Sequence, residues 1–299
     1  MYQLNKMAVV GAGTMGHGIA QVLAMAGMEV VLVDKEAQAL MLAHQKISSN
    51  LKKACNLGKI SPQLESAALE RLRISEDMQA IRDADLIIEA VPEILELKKE
   101  VLKYVDQLAK PEAILATNTS SLSVDEIAHS TSRPQQVIGL HFFNPVHIMK
   151  LLEIIVTKQT SPDVLTCART FASLIGKTSI VVHNSPGFAT SRLGICFALE
   201  AMRMLEEGVA SVEDIDTAMM LGYGHPMGPL KLTDLVGLDV RLAIAESLTT
   251  NLKNAAFAPP AILRTMVSEG KLGQKSGQGF YNWQEKKSPR ATQLNESHT

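Results

Sequence analysis

Met7-Ala8-Val9-Val10-Gly11-Ala12-Gly13-Thr14-Met15-Gly16 is the stretch whose reading decides the fold. A short apolar run enters a Gly-x-Gly-x-x-Gly turn. A helical pattern leaves it, with Ile19, Val22, Leu23 and Ala26 on one face and Gly27 as the stop. A second apolar run, Val30-Val31-Leu32-Val33, then ends in Asp34. Strand, glycine turn, helix, strand and terminal acid in that order form the dinucleotide-binding unit. Gly11 permits the tight turn, and Gly13 lets a pyrophosphate approach bare backbone. Gly16 allows helix and strand to pack closely, and the N–H groups of Thr14, Met15 and Gly16 open the helix toward the phosphates. Asp34 accepts hydrogen bonds from ribose hydroxyls and repels a 2′-phosphate, which favours NAD over NADP. The adjacent Lys35 is the one feature that points the other way.

Working outward, apolar runs alternate with helical patterns. Strands are expected at Leu86–Ala90, Ile114–Thr117, Val137–His141, Leu151–Ile155 and Ile180–Val182. Helices are expected at Glu96–Leu108, after the capping-box sequence Ser123-Val124-Asp125-Glu126, and after Ser161-Pro162-Asp163 as far as Gly176. This alternation implies an α/β fold, a Rossmann-type, mostly parallel, doubly wound sheet. The stretch between Asp34 and Leu86 is far longer than a crossover needs. It reads as an inserted helical hairpin: Lys35–Leu57, a break at Gly58, and a second helix from Ser61-Pro62. Its Lys46, Lys52, Lys53 and Lys59 fit either a solvated helix face or a phosphorylated substrate tail.

The strand signals stop near Asn184-Ser185-Pro186-Gly187. The expected organisation is a dinucleotide-binding domain over 1–184 and an all-helical domain over 185–284, with a disordered polar tail over 285–299. Helices are expected at Phe188–Glu207, at Val212–Leu221 and, as one long element, at Leu230–Leu252. A short helix should follow Pro259-Pro260.

The chain has 299 residues, 46% of them hydrophobic, enough for two cores. A net charge of −2 leaves no electrostatic footprint for nucleic acid or an anionic membrane. No apolar stretch approaches the length of a membrane span, and Met1–Lys6 has no signal region. Cys55, Cys167 and Cys196 lack metal-ligand spacing, so no metal is expected, and they read as reduced thiols of a cytoplasmic protein.

The next informative stretch is His141-Phe142-Phe143-Asn144-Pro145, at the end of an expected strand, where open parallel sheets bind their ligands. Glu153 lies in the apolar Leu151-Leu152-Glu153-Ile154-Ile155 and needs a partner there. His141 suits it. As a dyad, His141 would take a proton from a substrate hydroxyl while Glu153 holds the imidazole. A strand-end histidine capping a loop, with Glu153 at a sheet edge, fits the same residues.

With these pieces assembled, the chain resembles the L-3-hydroxyacyl-CoA dehydrogenase family, above all its short bacterial 3-hydroxybutyryl-CoA members. The resemblance covers nearly all of residues 5–284. It runs through Gly11–Gly16, Glu89-Ala90-Val91-Pro92-Glu93, Asn118-Thr119-Ser120-Ser121-Leu122 and Gly139–Pro145. It continues through Pro186-Gly187-Phe188, Pro226-Met227-Gly228-Pro229 and Lys275-Ser276-Gly277-Gln278-Gly279-Phe280-Tyr281. It implies reversible, NAD-dependent oxidation of a short (S)-3-hydroxyacyl-CoA, with His141 as base and Glu153 as its partner. Ser120 would contact the reacting oxygen and the nicotinamide side. Glu93, Lys98, Asn118 and Asn144 would join the glycine-loop residues and Asp34 around the cofactor. The resemblance also places the hairpin against CoA, with Asn50 and Lys53 as the contacts singled out, and makes the helical domain a homodimer interface.

One departure concerns the substrate. Where the family carries Asn-Arg after Pro-Gly-Phe, this chain has Ser191-Arg192. A serine has no amide donor, and losing one oxyanion donor costs about 2.7–4 kcal/mol. His147 and His225 also stand where the family usually has proline and a small residue. Two other readings remain at this stage: a dehydrogenase of a free hydroxy acid or sugar acid, and a non-catalytic dinucleotide-binding relative.

Overall fold

The computed structural model describes residues 4–284, so the polar segment 285–299 lies outside the described residues. The chain divides into two compact units after Phe188, a little beyond the Asn184–Ser185 boundary expected from the sequence.

The first unit is built on strands β1 (Lys6–Val10), β2 (Glu29–Val33), β3 (Leu72–Ser75), β4 (Leu86–Glu89), β5 (Ile114–Thr117), β6 (Val137–Phe142), β7 (Leu151–Val156) and β8 (Thr178–His183). They form one eight-stranded sheet in the order β3-β2-β1-β4-β5-β6-β7-β8. The order reverses at β1, where doubly wound sheets open a binding crevice. Among the described residues, the α-helices of this unit are α1 (Thr14–Met25), α2 (Ala37–Asn56), α3 (Pro62–Glu70), α4 (Leu95–Leu108), α5 (Val124–Ala128) and α6 (Pro162–Leu174). Met7 and Val9 of β1 enter one core and Ala8 and Val10 the other, so the strand is buried on both faces, as a central parallel strand must be.

Helix starts follow their caps. Ser61 accepts from the Leu64 N–H, Ser123 from Glu126 and Ser161 from Val164, each satisfying an orphan donor of the first turn. Gly58 takes φ +66° after α2 and breaks the hairpin where expected. Leu40, Ala43, Ile47 and Leu51 of α2 recur at helical spacing and are all buried, while its lysines stay in solvent.

One strand departs from the sequence reading, and one pairing is the exception within the mostly parallel sheet that was expected. β3 was not foreseen: it is a four-residue edge strand, half exposed, with too little apolar patterning to announce itself. And β7 runs antiparallel to β6, although it is parallel to β8. The connection of residues 143–150 is shorter than the dozen or so residues a parallel crossover requires.

The second unit holds α7 (Thr190–Glu206), α8 (Val212–Gly222), α9 (Pro229–Val236), α10 (Leu238–Leu252) and α11 (Ala261–Ser268). The expected long helix over Leu230–Leu252 is two, because Gly237 at φ +104° breaks it between α9 and α10. Ile195, Leu199, Met202, Leu230 and Leu248 centre the core. Two buried carboxylates tie the unit together. Asp234 accepts from the Phe280 and Tyr281 N–H groups and from Trp283 Nε1, and Asp216 from the Leu230 and Lys231 N–H groups and the Tyr281 hydroxyl. Among the described residues no helix is long and apolar enough to cross a membrane.

Candidate active site

The glycine turn follows β1 and is shaped by close approaches. Gly11 has φ +106°, and a Cβ there would stand 2.7 Å from the Ala90 carbonyl oxygen. A Cβ on Gly16 would overlap the Gly11 carbonyl, so the N-terminus of α1 reaches the turn only with glycine at that position. A Cβ on Gly13 would meet nothing within 4 Å, so a ligand can come directly onto backbone there. The Gly11 N–H donates to the Val33 carbonyl, and the Ala12 N–H to Asp34 Oδ2 at 2.7 Å. Asp34 therefore braces the turn from the end of β2.

The turn opens into a cavity of about 1050 Å³ along the carboxyl ends of the strands. Of the residues singled out above, Gly11, Gly13, Thr14, Met15, Asp34, Glu93, Lys98, Asn118, Ser120, His141 and Asn144 line it. Gly16 is buried beneath the turn. The cavity's size, bare-backbone entry at Gly13 and acid at the β2 end suit a dinucleotide.

At the end of β6, His141 is 6% exposed, and its Nδ1 donates to Glu153 Oε2 at 2.7 Å. The two are direct cross-strand partners, and Glu153 is fully buried. With Nδ1–H engaged by the carboxylate, Nε2 becomes the basic nitrogen of the ring. The Phe143 ring lies 4.4 Å and the Phe188 ring 5.9 Å from the imidazole, centroid to centroid, which fixes its plane. Lys177 Nζ donates to the Val146 and Met149 carbonyls, both at 2.7 Å, and so ties down the segment that follows His141. Asn118, expected at the cofactor, also braces the sheet. Its Oδ1 accepts from the Phe142 N–H at 3.0 Å and holds the β5 and β6 ends together.

An ionic chain, buried at Glu89 and Lys98 and open to solvent at Glu93, lines the neighbouring strand ends. Glu89, fully buried at the end of β4, accepts from Lys98 Nζ at 2.8 Å, from the Val91 N–H at 2.7 Å and from the Thr117 hydroxyl at 2.7 Å. Lys98, 1% exposed, also lies 3.3 Å from Glu93 Oε2. Glu93 Oε1 in turn accepts from the Ser120 N–H at 2.8 Å, the Ser120 hydroxyl at 3.1 Å and the Thr119 hydroxyl at 2.7 Å. Burial pushes the Glu93 carboxyl up, but Lys98 and the bonds from Thr119 and Ser120 more than offset it, so the group titrates below its ordinary range. Glu89 and Thr119 had no role in the sequence reading. A lone carboxylate closing Leu86-Ile87-Ile88-Glu89 is the same signal that pointed to Glu153.

The remaining expected contacts are not among the residues that line this cavity. Asn50 on α2 donates to Gln21 Oε1 of α1 at 3.1 Å, and Lys53 is exposed. Ser191 lies on the first turn of α7 in the second unit. Burial, then His17, Lys177 and Lys59, lower His147 from its ordinary value, and His225 packs on the Phe197 ring at 5.2 Å.

The model of the 3-hydroxyacyl-CoA dehydrogenase NAD binding domain matches residues 6–185, and that of the family's C-terminal domain matches residues 187–283. The chain belongs to the 3-hydroxyacyl-CoA dehydrogenase family. It is 41% identical over 286 residues to a probable 3-hydroxybutyryl-CoA dehydrogenase of Bacillus subtilis, covering 96% of this chain and all of that protein. It is 43% identical over 278 residues to the 3-hydroxybutyryl-CoA dehydrogenase of Clostridioides difficile, covering 93% of this chain and 99% of that one. Among solved structures, the (S)-3-hydroxybutyryl-CoA dehydrogenase of Ralstonia eutropha superposes with a TM-score of 0.92 at 39% identity, over 95% of this chain and all of that one. The Rossmann-type fold with a helical C-terminal unit is that of these relatives.

Proposed function

We propose that this family member oxidises short-chain (S)-3-hydroxyacyl-CoA, 3-hydroxybutyryl-CoA included, to the 3-ketoacyl-CoA, with NAD as oxidant, and that it runs the reverse reaction. Bound NAD supplies a hydride acceptor. His141 Nε2 takes the hydroxyl proton as the hydride leaves the same carbon, and returns it in the reverse direction. Glu153 keeps Nδ1 protonated and stabilises the imidazolium that forms, so the base needs no reorganisation during turnover. Ser120, whose backbone N–H keeps its loop on Glu93, turns its hydroxyl from Glu93 to donate to the developing carbonyl oxygen. Gly11, Gly13, Thr14, Met15 and Gly16 cradle the pyrophosphate, Asp34 takes the adenosine ribose, and Glu93, Lys98, Asn118 and Asn144 surround the rest of the cofactor. Ser191 stands for the family's asparagine as a weaker contact to the substrate oxygen.

Asn50 and Lys53 are retained as contacts to CoA, whose phosphates need cations outside the dinucleotide cavity. The homodimer belongs to the same reading. Leu221, Tyr223 and Leu193 of the helical unit are 81%, 79% and 72% exposed, and covering such side chains is what a second copy would contribute. A cytoplasmic location belongs to the same reading, supported by the three free cysteines.

The observation that carries this reading is the His141–Glu153 pair at the wall of a dinucleotide-sized cavity. Its test is NADH formation from (S)-3-hydroxybutyryl-CoA by the wild type, His141→Ala and Ser191→Asn. Turnover abolished by His141→Ala and raised by Ser191→Asn is expected. An inactive wild type that still binds NAD would remove the substrate assignment.

A further inference from the structure

His147 takes no part in the dinucleotide cavity or the proton transfer, and the charges around it are all positive. Gly18 of α1 packs so closely on the segment after His141 that a Cβ there would stand 2.8 Å from Val146 Cγ2. That approach sets His17, the neighbour of Gly18, beside His147, the neighbour of Val146. Lys177 Nζ, donating to the Val146 and Met149 carbonyls, fixes the same segment from the start of β8. The inserted hairpin closes on α1 one turn further along, where Asn50 donates to Gln21 Oε1. Lys59, at the turn of that hairpin, joins His17 and Lys177 among the charges that bear on His147. Lys150 adds a fourth cation beside Lys177. His147, Lys59 and Lys150 are exposed, and His17 is half-buried. Among the described residues, Lys59, Lys150 and Lys177 form no salt bridge, and neither histidine does.

Cations gathered without a counter-ion attract an anion. None of the five lines the dinucleotide cavity. The segment that carries His147 leaves directly from His141, so a substrate held at the dyad can lay a long polar tail along it. The two kinds of side chain meet a phosphate differently. The lysines are charged at neutral pH. His17 Nδ1 lies 2.8 Å from the Gly13 carbonyl oxygen, which can only accept, so Nδ1 carries the proton. His17 Nε2 then donates to a phosphate only when the ring is protonated. A bound phosphate supplies the negative charge that favours protonation of both imidazoles, so anion binding and proton uptake strengthen each other.

We propose that His17, His147 and Lys59 form a phosphate site for the CoA tail of the substrate, and that its grip tightens when the imidazoles are protonated. This rests on the reading of the substrate as an acyl-CoA. The proline usual in the family at position 147 has no side chain that could join such a site, so the pH-dependent share belongs to this chain.

The experiment compares (S)-3-hydroxybutyryl-CoA with the same acyl group on pantetheine, which lacks the phosphates. Both thioesters use the same base and the same NAD, so the titration of His141 cancels in the ratio of their KM values. The wild type should give the CoA thioester a KM lower by about tenfold or more, as several charge-assisted hydrogen bonds imply. The double variant His17→Gln/His147→Gln should lose about fivefold of that advantage near pH 6 and little of it near pH 8. Reading variant against wild type at each pH cancels the titration of the CoA phosphates. Lys59→Met should lower the advantage alike at both pH values. A 3′-dephospho-CoA thioester distinguishes the two sources of phosphate: an advantage it keeps assigns the site to the diphosphate, and one it loses assigns it to the 3′-phosphate. Equal KM values for the CoA and pantetheine thioesters in the wild type overturn the site outright. So does an advantage that the double variant leaves intact, or a loss that is the same near pH 6 and pH 8. Histidine variants that raise KM for NAD in place of the CoA thioester would give the cluster to the dinucleotide and overturn the assignment too. A wild type that turns over neither thioester removes the dehydrogenase reading itself, and this proposal with it.

Discussion

Replacing Lys98 by methionine would test whether the buried ionic chain holds the site together. The ammonium is 1% exposed and lies 2.8 Å from Glu89 and 3.3 Å from Glu93. Methionine keeps most of the apolar stem and removes the charge. Glu89 would retain the Val91 N–H and the Thr117 hydroxyl, two of its three donors, but its charge would be uncompensated at zero exposure. Removing one partner of a buried pair costs about 3–5 kcal/mol, and the two surviving donors place the expectation near the lower end, about 3 kcal/mol. That is a large share of the roughly 5–15 kcal/mol that holds a typical domain. The assay is urea unfolding followed by circular dichroism, read as a lower midpoint at constant slope. The double variant Glu89→Gln/Lys98→Met removes the stranded charge as well and should recover about half of the loss or more. NAD affinity reports the functional side: Glu93, deprived of its cation, holds the Ser120 loop less firmly, so KM for NAD should rise. A Lys98→Met protein within about 1 kcal/mol of the wild type, or a double variant no better than the single one, would show that Lys98 does not anchor Glu89.

Glu153→Gln keeps the shape but cannot stabilise the imidazolium, so kcat should fall by about 10²–10⁴ with little change in KM for NAD, measured by steady-state kinetics. Gly16→Ala drives a Cβ into the Gly11 carbonyl, so NAD binding by calorimetry should be lost even where the variant folds. Glu93 titrates below its ordinary 4.5, so its contribution to stability is present above that range and disappears as pH falls through the lowered value. Acid titration of Glu93→Gln against the wild type should therefore show the stability difference shrinking below about pH 4.5 and constant above it.

The first βαβ unit was fully legible because its evidence is redundant: an apolar strand, three glycines at fixed spacing, a helical period and a terminal acid all demand one geometry. β3 was not, because Leu72-Arg73-Ile74-Ser75 lies at the sheet edge with its two middle side chains exposed, so no apolar pattern marks it. The break at Gly237 was missed because the apolar residues on either side continue the helical period, and only the positive φ shows that the chain turns there. In the site, Glu153 was readable as a carboxylate stranded in an apolar strand. Glu89 carries the same mark. Its partner Lys98 also reads as an ordinary surface lysine of an amphipathic helix, and nothing local says that this one turns inward. Asn50 illustrates the converse: a polar residue on the CoA-side hairpin whose amide is already engaged by Gln21.

The antiparallel step at β7 is where fold and chemistry meet. In a wholly parallel sheet, the strand beside β6 is reached by a long crossover, and its carboxyl end lies next to that of β6. A carboxylate there would come from a loop, in the crevice where the ligands bind. Here the short connection of residues 143–150 turns the chain straight back, so that Glu153 sits within the ladder, opposite His141 on the same face. Directly opposed residues of an antiparallel pair have Cβ atoms about 4.5–5.5 Å apart, which suits an imidazole–carboxylate hydrogen bond. The side-chain period of two makes that register unforgiving: a slip of one residue would turn Glu153 to the other face of the sheet. The orientation of His141 is thus set by backbone hydrogen bonds of two buried strands rather than by a mobile loop. The loops are left free to shape the rest of the site, and the Ser120 loop is one that the protein fastens separately, through Glu93 and the buried Lys98 behind it.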